Sequence, residues 1–302
     1  MKIYNLGSLN IDYVYEVEHF VSAGETLASN GMQVFPGGKG LNQSVALARA
    51  GAKVIHGAVV GDDGDLLLDT LSAAGADISR IKKAKGSCGH AIIQVDKTGQ
   101  NCILLFPGTN HAIDKGYIEE FLSDVQKDDI LLLQNEINGL ETIFAVAHKK
   151  QMQIAFNPSP FHANIKKLPL SYVKWWFCNE IEGAALFGSS DPKEIAKTFA
   201  EQFPDSNLIL TLGEEGSVFV NADTYIEQPI YKVNTVDTTA AGDTFTGYFI
   251  AAFAGGKDAA ASLNLAAKAS SITVSRPGAA ISIPLLNEVF FPHPGNETGS
   301  ER

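Results

Sequence analysis

Basic residues are scarce in this chain. Against 34 aspartates and glutamates stand 23 lysines and arginines, leaving a net charge of −11 over 302 residues. That balance excludes a general nucleic-acid binder, which needs a positive surface. It does not exclude an anionic small substrate, because one site can be positive in a negative protein. Cysteine is scarcer still: Cys88, Cys102 and Cys178, with no CxxC spacing. So sparse and odd a set excludes a disulfide framework and predicts a reducing, cytoplasmic setting. The seven histidines form no HExxH or HxH pattern, so no zinc site is expected. No apolar run approaches the ~18 residues of a membrane span. The opening MKIYNLGSLNID reads as a strand rather than a signal peptide. No internal repeat is present, and Asn296-Glu297-Thr298 reads as a chance match to a glycosylation sequon.

What is present is an ordinary globular composition, 45% hydrophobic and 19% charged, long enough for one large α/β domain or two small ones. Short apolar runs at 2–7, 54–61, 130–134, 153–157, 173–178 and 207–213 read as strands, several of them apolar on both faces. Helical patterns lie between them at 39–50, 65–74, 139–150 and 192–203, with an Ala-rich helical stretch over 242–275. This alternation predicts a doubly wound α/β domain with a mostly parallel sheet. Two segments break it. Residues 12–36 are strand-like without a helical period, and 87–107 read as a hairpin turning at DKTGQ. Both look like a small antiparallel β lid inserted into the body. Its apolar residues need a cover, over a cleft or against another subunit. One domain is expected over 1–292, with a frayed tail at 293–302.

Several glycine-rich joints stand where chemistry would sit. In VFPGGKGLNQS (34–44), glycines around Lys39 open an amphipathic helix, so a ligand can approach the backbone and helix N-terminus. The alternative is a glycine turn with a solvated lysine. A Walker loop is excluded by Gln33 and Gly40. In GSLNID (7–12), Asn10 and Asp12 share a face at the end of the first strand and together can grip vicinal hydroxyls; an Asx turn is the alternative. In NTVDTTAAGDTFTGYF (234–249), small residues precede Asp243 at a predicted helix start. Free amides of Ala241, Gly242 and Asp243 there make an anion site, and the Asp243 carboxylate can accept a proton from an attacking hydroxyl. A plain N-cap role for Asp243 is the alternative. In CNEIE (178–182), Asn179 and Glu182 can reach one ion or form a capping box. TLGEEG (211–216) is a ligand loop or a hairpin turn, and SRPGAAIS (275–282) offers oxygen ligands.

In this order, GSLNID, FPGGKGLNQSVALARAG, NPSP (157–160), NEIE, TLGEEGS, DTTAAGDTF and SRPGAAIS resemble the phosphofructokinase-B family of sugar kinases, in its ribokinase-like branch. The likeness spans about 1–290. It implies an ATP-dependent kinase acting on the 5-hydroxyl of D-ribose, with another pentose, a hexose or a nucleoside as the alternative substrate. A sugar-binding regulator without turnover is a third reading, opposed by the intact Asp243. The resemblance casts Asp243 as general base and Ala241, Gly242 and the Asp243 amide as the hole around the γ-phosphate. It assigns sugar contacts to Asn10, Asp12, Gly38, Lys39, Asn42, Glu136 and Asp243, with Ala91 and Leu105 from the lid. ATP contacts fall to Asn179, Thr211, Leu212, Gly213, Glu214, Glu215, Gly216 and Gly242. Asn179 and Glu182 match a magnesium-linked motif. Asp237, Thr239, Thr273, Arg276, Gly278 and Ser282 match a site for activating potassium. A homodimer clasped through the lid is also implied. Departures are Cys88 for a threonine, His90 for a small apolar residue, Thr239 for a larger aliphatic, and Ala267 where a polar residue often meets adenine.

Overall fold

The computed structural model describes residues 1–290. Its central sheet has eight strands, in the spatial order Tyr225–Gln228, Ser217–Val220, Asn207–Thr211, Val173–Asn179, Gln153–Asn157, Ile130–Gln134, Ile3–Leu6 and Val54–Gly57. Ser217–Val220 pairs antiparallel with both of its neighbours; the six strands from Asn207–Thr211 to Val54–Gly57 run parallel to one another. A parallel strand needs cover on both sides, and the sequence supplies it by continuous apolarity. In the run Ile130–Leu133, Ile130 and Leu132 enter the core on one face, and Leu131 and Leu133 the core on the other. Helices Lys39–Arg49, Asp65–Ala74, Ala241–Ala254 and Ala259–Val274 contribute to the first core. Lys115–Phe121, Leu140–Lys149, Glu180–Phe187 and Pro192–Gln202 contribute to the second. This is the doubly wound fold the alternation predicts.

Strand order reverses between Ile3–Leu6 and Ile130–Gln134, which pair directly. At such a switch point the connections leave to opposite faces and open a crevice beyond the strand ends. GSLNID and Asn135-Glu136 emerge there. The seven-residue helix Lys115–Phe121 is absent from the apolar periodicity because it is short and carries Gly116; its start is marked only by Asp114, whose side chain accepts the Tyr117 amide at 2.7 Å.

A second sheet of four strands, Gly31–Gly37, Asn10–Glu16, Gly89–Val95 and Asn101–Phe106, stands apart from the first. It consists of two antiparallel pairs joined by one parallel pair, Asn10–Glu16 with Gly89–Val95. The expected lid segments 12–36 and 87–107 thus meet edge to edge. The expected tail at 293–302, with its sequon, lies outside the described residues. Among the described residues no helix is long and apolar enough to cross a membrane.

Candidate active site

Helix Ala241–Ala254 begins abruptly. Its N-cap is Ala240, held left-handed at φ 62° and ψ 8°, with no side chain capping the first turn. A non-glycine residue in that region is strained, and such strain persists where the surroundings enforce it. The Ala241 amide donates to Thr238 O at 3.2 Å. The amides of Gly242 and Asp243 fall in the first turn, where no preceding carbonyl exists to accept them. A side chain on Gly242 would point into open space, so the backbone there is reachable. The N-cap alternative for Asp243 therefore fails. Asp243 is the third helical residue and is buried, 7% exposed. Its Oδ2 accepts from Asn42 Nδ2 at 3.0 Å and its Oδ1 from Gln43 Nε2 at 2.8 Å.

Those two amides come from helix Lys39–Arg49, which follows Gly38 at φ 92°. A Cβ on Gly40 would lie 2.3 Å from Ser8 N and 2.5 Å from Gly7 C, so only glycine lets this helix start sit against the end of the first strand. The contact is reinforced by side chains. Lys39 N donates to Glu136 Oε2 at 3.0 Å, and the Ser8 hydroxyl donates to the same oxygen. Lys39 is only half-buried, yet it faces carboxylates rather than bulk water. Burial would lower its pKa, but Asp243, Glu136 and Glu182 outweigh that and raise it. Burial raises the pKa of Glu136, with Lys39 and the Ser8 hydrogen bond opposing. Asn42 Oδ1 is buried with no partner in the protein, an acceptor left for something else.

The small sheet closes this group from another side. Asn10 and Asp12 lie on one face, as their spacing predicts. Asn10 Oδ1 accepts from Asn110 Nδ2 at 2.7 Å, which leaves the Asn10 N–H groups to point elsewhere. Asp12 stands in register with Ala91, and Ala91 with Leu105, forming one row across three strands. Ala91 is buried, whereas Leu105 is 46% exposed. Burial, with the Glu136 charge adding to it, pushes the Asp12 carboxyl up to about 7.

Beside these groups a cavity of ≈ 210 Å³ runs from Lys39 and Asp243 past Asn179 and Glu182 to Thr211. Asn179 and Glu182 form a capping box: Glu182 N donates to Asn179 Oδ1 at 2.8 Å and Asn179 N to Glu182 Oε2 at 3.0 Å. Of the two readings of CNEIE the structure realises the cap, and both residues also line the cavity. TLGEEG is a hairpin turn: Gly213–Glu215 makes one 3₁₀ turn between antiparallel strands, Leu212 N donates to Gly216 O at 2.8 Å, and Glu214 and Glu215 are exposed. Ala267 is buried in helix Ala259–Val274.

The candidate cation residues gather in part. Asp237 accepts from Thr239 N and Gly278 N, each at 2.9 Å. Burial would raise its pKa, but these bonds prevail and lower it. The Thr273 carbonyl accepts the Arg276 amide at 3.1 Å at the end of its helix. The Ser282 hydroxyl donates to Ala279 O at 2.7 Å. The Arg276 guanidinium turns instead to Glu288, at 2.7 Å.

Sequence reasoning passed over Ser8, Gln43, Asn110, Gln134, His56 and Ala240. One signal was available: Asn42, Gln43 and Ser44 are three consecutive polar residues, all buried, in a helix that otherwise buries apolar ones. His56 is fully buried against Ser44, its ring nitrogen 2.7 Å from the hydroxyl, and burial pushes its pKa down to about 3, so it stays neutral.

A family model described as pfkB family carbohydrate kinase matches residues 2–286. The chain belongs to this family. A ribokinase of Schizosaccharomyces pombe is 36% identical to this kinase over 314 residues, spanning 96% of each chain. The crystal structure of a ribokinase from Thermotoga maritima matches it with a TM-score of 0.84 at 37% identity, over 96% of this kinase and 98% of that chain. A ribokinase of Arabidopsis thaliana complexed with ribose and ATP gives a TM-score of 0.87 at 26% identity, over 96% and 97% of the two chains.

Proposed function

We propose that this kinase transfers the γ-phosphate of ATP to the 5-hydroxyl of D-ribose, giving ribose 5-phosphate and ADP. One observation carries the reading: a buried, doubly oriented carboxylate, Asp243, stands at an uncapped helix start, facing a set of hydroxyl-binding groups. Ribose is favoured by the relatives, which are named ribokinases. Asn10, Asp12, Lys39, Asn42 and Glu136 supply donors and acceptors for the sugar, with Gly38 giving backbone access and Ala91 and Leu105 flanking it. The orphaned Asn42 Oδ1 suits a hydroxyl donor. Asp243 takes the 5-hydroxyl proton as the oxygen attacks phosphorus. The Gly242 and Asp243 amides, with Ala241 beside them, and Lys39 hold the charge spreading over the phosphoryl oxygens. Asn179 and the 211–216 turn flank the nucleotide.

Among the described residues no three His, Cys, Asp or Glu groups converge as a metal site. That fits magnesium arriving with ATP, which takes one or two carboxylates plus phosphate oxygens. Glu182, with Asn179, would hold it, and the ion would neutralise phosphate charge. The ionised Asp237, held by the Thr239 and Gly278 amides, suits a potassium ion that braces the loop before Ala240, with Thr239, Thr273, Arg276, Gly278 and Ser282 as the further oxygen donors of the proposed site. The strand Asn101–Phe106 exposes Ile103, Leu104, Leu105 and Phe106. A second copy of the same sheet would cover them, giving a homodimer, and a cytoplasmic setting completes the reading.

The test is an ATP-to-ADP assay over pentoses, hexoses and nucleosides, with and without potassium. The highest kcat/KM is expected for ribose, with a rate that rises with potassium. In Asp237→Ala the potassium response is expected to vanish while turnover persists. A hexose or nucleoside preferred over ribose would overturn the substrate, and a normal potassium response in the variant would overturn the cation site.

The raised pKa of Asp12 sets a pH dependence. Sugar hydroxyls donate to the ionised carboxylate, which is depleted below about 7. Ribose KM is therefore expected to rise as pH falls through 7, while kcat at saturating sugar does not follow that titration. Asp12→Asn should give a higher KM without the step. Steady-state kinetics from pH 5.5 to 9 decide it, and a flat KM in the unaltered enzyme would refute it.

A further inference from the structure

We infer that Gln43 is a positioning residue that keeps Asp243 ionised and fixes its carboxylate plane. The inference rests on the reading of Asp243 as the base. Gln43 is fully buried, and its side-chain N–H groups go to Asp243 Oδ1 at 2.8 Å and Asn157 Oδ1 at 3.2 Å. Its own oxygen accepts from Gln134 Nε2 at 2.7 Å. Gln134 Nε2 also donates to Asn5 Oδ1 at 3.0 Å, and Asn5 Nδ2 to Ser44 Oγ at 2.8 Å.

The direction of this chain follows from its end. An ionised carboxylate only accepts hydrogen bonds, so Gln43 must turn its NH₂ toward Asp243. Its oxygen then faces Gln134, which turns its NH₂ inward, and Asn5 follows in the same sense. Each amide has one orientation that satisfies its neighbours, so reversing one sets donor against donor or acceptor against acceptor inside the core. A proton on the lone pair of Oδ1 that faces Gln43 would oppose an N–H. The chain thus favours the acceptor form of the base. That bias has work to do here. Asp243, Glu136 and Glu182 gather around Lys39, and an arriving phosphate brings further negative charge to the same corner. Asn42 holds the other oxygen, so two fixed donors define the plane of the carboxylate and leave its remaining lone pairs for the substrate hydroxyl.

The test uses Gln43→Met, which keeps length and removes the donor, and Gln43→Glu, which keeps an oxygen for Gln134 but places a second carboxyl beside Asp243. Rates are measured against pH at saturating ribose and ATP, with both KM values and a thermal melt. Gln43→Met is expected to lose roughly 10-fold in kcat at neutral pH, the scale of a hydrogen bond to a charged group. Its KM values should stay within about twofold, and its acid limb should move up by about one pH unit, so alkaline pH recovers part of the loss. Gln43→Glu should move the limb at least as far, because two adjacent carboxyls share a proton. An unmoved acid limb, or an equal loss at every pH, overturns the inference. If Gln43→Met does not fold, the limb of Gln43→Glu decides alone. Asp243→Asn is run alongside: loss of turnover there with normal Gln43 variants rejects only the positioning role, whereas retained turnover rejects the base itself.

Discussion

Asp243→Asn is expected to lose at least about 100-fold in kcat, the lower end for loss of a general base. Affinity for ribose and ATP should stay near that of the unaltered enzyme. The amide side chain fills the same space, and the backbone amides of the helix start are untouched. Asparagine has one acceptor oxygen where aspartate has two, so either Asn42 or Gln43 must face an NH₂ group. The melting temperature should therefore fall slightly while the fold persists. Stopped single turnovers with bound ATP would separate the chemical step from product release. Turnover close to that of the unaltered enzyme would remove Asp243 from the chemistry.

Gly242→Ala separates site from scaffold. Gly242 lies in the first turn of helix Ala241–Ala254, outside the set of glycines with positive φ, and a Cβ there meets no atom within 4 Å. The folded protein should accept alanine freely and gain about 0.4–1 kcal/mol, because the unfolded chain loses freedom. Yet on the proposed phosphate site a methyl group there would occupy the space through which phosphate oxygens reach the amides. Loss of such a contact costs about 10²–10³ in kcat. A higher melting temperature together with a loss of about 100-fold in kcat is the expected pair. Unchanged kinetics would move the phosphate site elsewhere.

The fold was largely legible because its strands are buried on two faces. ILLLQ and QIAFN match the observed strands residue for residue, and the helix at 65–74 does as well. Register between the two inserted β segments was not legible. Whether Asp12 lies beside Ala91 depends on a parallel pairing between segments some 80 positions apart, which no local pattern encodes. The site was legible where glycine marked it, at GGKG and AAGD. It was illegible where buried amides supplied the order. Gln43 and Gln134 look like ordinary polar residues until Asn5, Ser44 and Asp243 are brought around them. Asn179 and Glu182 show the converse, since a spacing that could serve an ion also serves a helix cap, and here it does cap.

The hydrogen bonds that orient Asp243 span 200 and 201 positions along the chain. During synthesis the N-terminus emerges first and its elements can begin to associate early. The residues of helix Lys39–Arg49 and the strand Ile130–Gln134 are made long before Asp243 leaves the ribosome. The residues proposed to grip the sugar are therefore among the first made, and the proposed base is among the last. A nascent or truncated chain holds hydroxyl-binding residues but no aligned base and no helix start for phosphate. On the proposed roles, phosphoryl transfer waits for completion of the core, and an unfinished molecule consumes no ATP.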